Sequence, residues 1–163
     1  MAEPWRKPFA SSEAVARKMS RLARKDTGPE LALRRELHGR GLRYFVHRRP
    51  LPGLRREADI VFPRVKVAVF VDGCFWHGCS EHGIRRHRTN AWYWPEQIQR
   101  NMERDRDTDE QLRRAGWTPV RIWEHVPAPE GARTVEQALD RRQLTAGSDV
   151  ISHAKNRPSR CTG

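Results

Sequence analysis

The sequence has few cysteines and no long hydrophobic run. Three cysteines among 163 residues favour metal ligation over a disulfide framework, and a chain of this length has room for a core of its own. No apolar run approaches the roughly 20 residues that span a membrane, and the N-terminal residues lack the apolar centre of a secretion signal. We therefore expect a cytoplasmic protein without a membrane partner.

Negatively charged residues are outnumbered by positively charged ones. Lys and Arg number 32 against 20 Asp and Glu, which gives a formal net charge of +12. Such an excess attracts a polyanion, most often nucleic acid, because each phosphate contact releases condensed counterions. The composition therefore predicts a nucleic-acid partner, but it does not distinguish an enzyme from a binding protein.

The pattern of apolar and turn-forming residues predicts an α/β fold with a central mixed β-sheet flanked by helices. We expect a flexible arm over residues 1–10, a folded domain over 11–143 and a disordered tail over 144–163. Helices are predicted at 11–23, from Thr27 to Gly39 or Gly41, and at 94–115 and 134–142. Strands are predicted at 42–47, 58–62, 65–72 and 118–125, with Pro63-Arg64 as the turn of a hairpin.

A short segment concentrates cysteine and histidine. Residues 74–82 read CFWHGCSEH, so Cys74, Cys79 and His82 lie close enough in sequence to share one tetrahedral zinc ion. The fourth ligand is either His77, within the segment, or His125, at the end of a later strand, and spacing alone leaves both open. Without a metal, these would be unpaired core residues.

Carboxylates follow the predicted strands. Asp59 stands inside an apolar strand, where an acid is unfavourable without a partner or a metal. Asp72 ends the next strand, where it could equally begin an Asp-Gly turn. If the two strands pair, both acids approach one edge of the sheet. A phosphodiester nuclease uses such carboxylates to hold Mg²⁺.

Two further acids have competing interpretations. Asp105 falls on the apolar stripe of the helix at 94–115, so we expect either a structural salt bridge to arginine or a partner histidine in an active site. Glu30 completes a capping box with Thr27, in which it would bond the N-cap amide, but it also shares a helix face with Leu33 and Leu37.

Aromatic rings accompany the cysteine and histidine segment. Phe75 and Trp76 lie within it, and Trp94 begins the helix that follows. Apolar rings can enter a base step and unstack it, at a cost that a mismatch lowers. The alternative is that the rings belong to the core, which the apolar stripe favours for Trp94 in particular.

Three runs carry a resemblance to a known family: READIVF, VAVFVDGCFWHGC and NMERDRDTDEQLRRAGW. In this order, over about residues 14–127, the chain resembles the very-short-patch-repair (Vsr) DNA mismatch endonucleases. The resemblance implies a restriction-endonuclease-like fold with one structural zinc site. It also implies an Mg²⁺-dependent enzyme that nicks double-stranded DNA 5′ to the thymine of a T:G mismatch, with mismatch-repair accessory proteins as candidate partners.

The resemblance also assigns roles to residues. Asp59 and the backbone carbonyl of Val71 match the magnesium ligands, and His77 matches the residue that positions or deprotonates water. Asp105 and Glu30 match active-site acids. The wedging aromatics are Phe75, Trp76 and Trp94. The zinc ligands are Cys74, Cys79, His82 and His125, which assigns His125 rather than His77 to zinc.

The sequence departs from the family pattern at several positions. Asp72 stands where a well-known member has a second catalytic histidine, which makes Asp72 a candidate catalytic residue with no matched role. His125 replaces a cysteine, an exchange that zinc tolerates. Ala58 replaces the usual proline before Asp59, and no Glu-x-Lys follows. Rival interpretations are a non-catalytic zinc-dependent DNA-binding module and a restriction-type endonuclease for matched sites. We expect a monomer, since a mismatch has no two-fold symmetry.

Overall fold

A four-stranded sheet organises the part of the chain that the computed structural model describes, residues 25–82 and 93–154, with side chains described through 144. The elements in chain order are α1 (Gly28–Gly39), β1 (Phe45–Arg48), β2 (Ala58–Phe62), β3 (Val67–Asp72), α2 (Trp94–Arg114), β4 (Thr118–Trp123) and α3 (Ala128–Ala154). None of these helices has both the length and the apolar character that crossing a membrane requires.

The sheet is mixed, as predicted. Its strand order is β1-β2-β3-β4, with β1/β2 and β2/β3 antiparallel and β3/β4 parallel. The hairpin between β2 and β3 is confirmed, but its turn extends through Lys66, which has a positive φ of 52° and donates its N–H to the Pro63 carbonyl at 3.3 Å. The connection from β3 to β4 contains α2, as parallel neighbours require.

Helices cover both faces of the sheet. On one face, alternate residues of β2, β3 and β4 pack against α1 and α3; this core contains Leu33, Leu37, Ile60, Phe62, Val67, Val69, Val120, Ile122, Ala132, Val135 and Leu139. On the other face, a smaller core joins Leu54, Ala58, Val61, Ala68 and Phe70 to Leu112 of α2. Both faces of β2 and β3 are covered, and for this reason their sequences are nearly continuous apolar runs rather than alternating ones.

The ends of the chain depart most from prediction. Helix α3 begins at Ala128 and ends at Ala154, whereas the predicted helix covered only 134–142. Pro129 lies in the first turn, where a missing N–H costs nothing, and residues 130–154 contain no proline. Residues 144–154, predicted as part of a disordered tail, are therefore helical here. The predicted arm 1–10, the predicted helix at 11–23 and residues 155–163 lie outside the described residues.

Candidate active site and metal cluster

The candidate site lies where the parallel strands β3 and β4 end side by side. Asp72 is opposite Trp123 in the register, and the Asp72 carbonyl accepts the Glu124 N–H at 2.9 Å. The loop after β3, residues 73–82, therefore meets the segment after β4. This adjacency brings His125 to the cysteines of the loop, although Cys74 and His125 are 51 positions apart.

His77 and Asp105 form a hydrogen-bonded pair. His77 Nδ1 lies 2.5 Å from Asp105 Oδ2 and 3.8 Å from Asp72 Oδ1. Burial alone would lower the pKa of His77, but the hydrogen bond to Asp105 and the charge of Asp72 outweigh it, so the pKa is raised. Burial likewise opposes ionisation of Asp105, yet its bond to His77 lowers its pKa. Both partners predicted for Asp105 are present: His77 at 2.5 Å and an arginine, Arg121, whose Nη1 lies 3.5 Å from Asp105 Oδ1.

Asp72 is buried in an ion pair rather than used in a turn. Both of its carboxylate oxygens accept from Arg121 Nη1, at 2.9 and 3.0 Å, and the turn that follows is built on the Gly73 carbonyl. Burial raises the pKa of Asp72 even though Arg121 opposes the rise. The turn interpretation of Asp72 is thus wrong for its side chain. Sequence reasoning also missed Arg121, whose only signal is a cation between apolar neighbours in a strand.

Asp59 bonds to the neighbouring strand. Its Oδ2 accepts the Val71 N–H at 2.7 Å, so the two residues predicted to hold magnesium are in contact, although through the amide rather than the carbonyl of Val71. Burial raises the pKa of Asp59 to about 6, the Val71 hydrogen bond opposes the rise, and the charges of Glu30 and Asp72 add to it. Asp59 lies outside the compact group that Asp72, His77 and Asp105 form. Among the described residues, the ion-pair partners of His77 are Asp105 and Asp72, and Asp59 is not one of them.

Glu30 is buried at the start of α1. Its Oε2 accepts the N–H of Asp26 at 2.9 Å, and its Oε1 accepts the hydroxyl of Thr27 at 3.0 Å. The predicted bond to the N-cap amide of Thr27 is therefore replaced by one to the preceding residue. Arg34 donates to Glu30 Oε2 at 3.1 Å and also reaches His47. Glu30 thus both fixes the helix start and faces inward, close enough for its charge to act on Asp59.

The raised pKa of Asp59 predicts that a neutral residue at this position stabilises the fold in a pH-dependent way. Without added magnesium, Asp59→Asn should raise the free energy of unfolding by roughly 3 kcal/mol above pH 6. The folded pKa near 6 exceeds the ordinary value of 3.8, so ionisation of Asp59 destabilises the native chain as pH rises from 4 to 6. Below pH 4 both states are protonated and the gain should vanish. Urea unfolding from pH 4 to 8 measures this.

A matched control for that experiment is Asp140→Asn, since Asp140 is exposed on α3. The free energy of unfolding of this variant should equal that of the native chain at every pH tested. If Asp59→Asn and the native chain had equal free energies of unfolding at pH 7, the conclusion that ionised, buried Asp59 destabilises the fold would be wrong.

Cys74, Cys79, His82 and His125 form a second cluster, in which one ligand atom from each lies within 4.8 Å of the others. Cys74 Sγ lies 3.0 Å from His125 Nδ1, and Cys79 Sγ lies 3.8 Å from the same nitrogen and 4.0 Å from His82 Nδ1. Tetrahedral zinc separates its ligand atoms by about 3.5 Å, so these residues could hold one. The structure brings His125, and not His77, to the cysteines.

Helix α2 packs against the loop 73–82, which carries His77 and both cysteines of the second cluster. Gly78, between His77 and Cys79, has φ +69°, and a Cβ there would lie 2.9 Å from Met102 Sδ and 3.1 Å from Ile98 Cγ2. Only glycine accepts both this backbone conformation and this contact. Asn101, buried on α2, donates from Nδ2 to the Trp76 carbonyl at 2.9 Å. Sequence analysis did not identify either support, because each depends on which helix packs against the loop.

The three predicted wedging aromatics lie together. The ring of Phe75 is 4.8 Å from that of Trp76 and 5.1 Å from that of Trp94, and the two tryptophan rings are 5.6 Å apart, all in edge-to-face geometry. All three are half-buried and lie in neither of the two main cores. Such rings combine a fixed arrangement with partial access to a ligand.

Comparison with known proteins places the chain in a family. The family described as DNA mismatch endonuclease Vsr matches residues 11–82. Type II nicking enzyme V.NaeI of Lentzea aerocolonigenes is 44% identical over 135 residues, which cover 81% of this chain and 80% of the relative. DNA mismatch endonuclease Vsr of Escherichia coli K12 is 33% identical over 109 residues, covering 67% and 68%. The chain therefore belongs to the Vsr family of DNA mismatch endonucleases.

Proposed function

We propose that the chain is a DNA nicking endonuclease that cuts duplex DNA 5′ to the thymine of a T:G mismatch. The observation that carries this proposal is the His77–Asp105 hydrogen bond at the sheet edge that also holds Asp72, with Asp59 and Val71 joined nearby. The names of its relatives, which are nicking enzymes and a mismatch endonuclease, support the same activity.

Asp59 and the carbonyl of Val71 would hold magnesium. The fit rests on a carboxylate that is buried beside other acids, Glu30 and Asp72, whose charges oppose its ionisation. Oxygen ligands of this kind suit a hard divalent cation, which relieves such repulsion. When bound, magnesium would lower the pKa of a water molecule and neutralise charge that develops on the phosphate and the leaving oxygen.

His77 would orient or deprotonate the attacking water. Because Asp105 and Asp72 both face Nδ1, Nε2 is the ring nitrogen that can accept a proton. Asp105 would fix the tautomer and ring orientation and stabilise the imidazolium that forms, as the acid of a catalytic triad does. The raised pKa of His77 agrees with this task, since a base must hold the proton that it takes.

The aromatic cluster would select the mismatch. Phe75, Trp76 and Trp94 form a compact group of half-buried rings that could enter a base step. Unstacking a step costs a few kcal/mol, and less at a mismatched pair than at a matched one. A T:G pair would therefore admit the rings at lower cost than a matched T:A or C:G pair, and selectivity follows from that difference.

Cys74, Cys79, His82 and His125 would hold a structural zinc ion. This assignment is supported by two sulfur and two nitrogen atoms that lie close together, which is the donor set of closed structural zinc sites. Burial raises the pKa of the Cys74 thiol to about 11, and zinc would replace its proton. The ion would anchor the irregular loop that presents His77 and the aromatic rings.

A gel assay tests the activity. Purified protein and Mg²⁺ are incubated with end-labelled matched and T:G duplexes that share one sequence containing a cytosine methylation site. We expect one nick, 5′ to the mismatched thymine, in the T:G duplex alone. Cutting of both duplexes would instead indicate a restriction-type enzyme. Binding without cutting would indicate a non-catalytic module, and either result would overturn the proposal.

A further inference from the structure

Arg121 donates hydrogen bonds to two carboxylates and one backbone carbonyl beside the candidate active site. Its Nη1 donates to both oxygens of Asp72, at 2.9 and 3.0 Å. On its other side, Nε and Nη2 donate to the Asp109 carboxylate at 2.9–3.2 Å. Nη2 also donates to the backbone carbonyl of Asp105 at 3.2 Å. One guanidinium thereby links the end of β3 to the face of α2.

Two of the acids that Arg121 contacts, Asp72 and Asp105, also face His77. Asp72 and Asp105 approach the same ring nitrogen of His77, at 3.8 and 2.5 Å. Two carboxylates that converge on one atom repel each other, and a cation between them offsets this repulsion. Arg121 Nη1 lies 3.5 Å from Asp105 Oδ1 as well as bonding Asp72. The planar fork of a guanidinium fixes the separation of its acceptors, which an ammonium group does not.

The packing around Arg121 limits its movement. Its side chain is 22% exposed, and its Cζ lies over the Phe70 ring at 4.8 Å from the centroid. An arginine held by a ring, two carboxylates and a carbonyl has one available arrangement. Arg121 therefore restrains the Asp72 carboxylate and lies beside the Asp105 carboxylate before any substrate binds.

We propose that Arg121 is a positioning residue for the nicking reaction, which fixes Asp72 and Asp105 around His77 so that the imidazole meets the attacking water in one orientation. This inference rests on the proposed role of His77. Arg121 itself does not touch the reacting atoms. Displacement of a reacting group by 1 Å can cost about 10²-fold in rate, so loss of Arg121 should lower catalysis rather than DNA binding.

The test compares Arg121→Met, Arg121→Lys and a control, Arg113→Met. Arg113 contacts the same Asp109 carboxylate, at 3.8 Å, but from the exposed surface. Single-turnover nicking of a T:G duplex, DNA affinity and the folded fraction are measured for each variant. For Arg121→Met we expect a rate per folded molecule that is about 10²-fold lower at unchanged DNA affinity. The rate of Arg121→Lys should fall between those of Arg121→Met and the native chain. The rate of Arg113→Met should equal the native rate.

A second readout does not need DNA. The proton on His77 Nδ1, held by Asp105, gives a low-field NMR signal that should be present in the native chain and in Arg113→Met and lost in Arg121→Met. If Arg121→Met does not fold, Asp109→Asn removes one anchor of the guanidinium and should show the same losses in smaller degree. A native rate and a native signal in the folded Arg121 or Asp109 variant would overturn the inference. A native chain that shows the signal but does not nick would overturn the proposed function instead.

Discussion

Replacement of Asp59 by alanine should lower the nicking rate by at least about 10³-fold, because metal-ion stabilisation of the transition state contributes several kcal/mol. DNA affinity should stay close to that of the native chain, since phosphate contacts from lysine and arginine dominate binding. The fold should persist, because the buried carboxylate opposes folding at neutral pH rather than supporting it. The variant would therefore separate binding from cutting.

Rates on a T:G duplex at saturating Mg²⁺, together with gel-shift affinities, measure this separation. Asp140→Ala is the matched control, because it removes an exposed acid of α3 and should leave the rate unchanged. An Asp59→Ala variant that nicks at the native rate would remove Asp59 from the mechanism. Loss of DNA binding and cutting together would show instead that the substitution disturbs the binding surface.

Substitution of Cys79 by serine should unfold or strongly destabilise the domain. The thiol is buried at 2% exposure, and its loss would open the proposed zinc site, whose binding free energy is folding free energy. Loss of a structural metal belongs to the few single changes that cost about 4 kcal/mol or more. We expect a zinc content close to zero, a lowered unfolding midpoint and no nicking.

Cys161→Ser gives the control, since it makes the same chemical change at the third cysteine of the chain. This variant should keep its zinc and its unfolding midpoint. Metal analysis by atomic absorption and thermal unfolding by circular dichroism provide the two measurements. A Cys79→Ser chain with native stability and metal content equal to that of the native protein would refute the zinc assignment.

A strand buried on both sides and a helix with an apolar stripe were predictable from sequence. The bounds of β2 agree with the predicted 58–62, and α2 ends one residue from the predicted end. Strand β1 was predicted at 42–47 and lies at Phe45–Arg48; its start was predicted too early because Phe45 and Val46 are exposed and carry no inward-outward alternation. The length of α3 was underestimated at both ends, because Pro127 and Pro129 at its start are typical of loops and the polar residues after Leu144 were interpreted as a tail.

The site was predictable where its residues are close in sequence or matched by resemblance. The segment 74–82 suggested its own metal ligands, and the helical position of Asp105 suggested a buried partner. Arg121, Asn101 and Gly78 were not identified, since their importance depends on contacts between α2, β4 and the loop. The change from turn residue to ion pair at Asp72 has the same cause, because its partner comes from another strand.

The parallel pairing of β3 with β4 has a consequence for when the chain can act. Cys74 and His125 meet only after segments 51 positions apart have come together, and such long-range closure is slow compared with helix or hairpin formation. The same event positions Arg121 beside Asp72. A chain in which this pairing has not formed would therefore lack both the contact between Cys74 and His125 and the ion pair between Arg121 and Asp72.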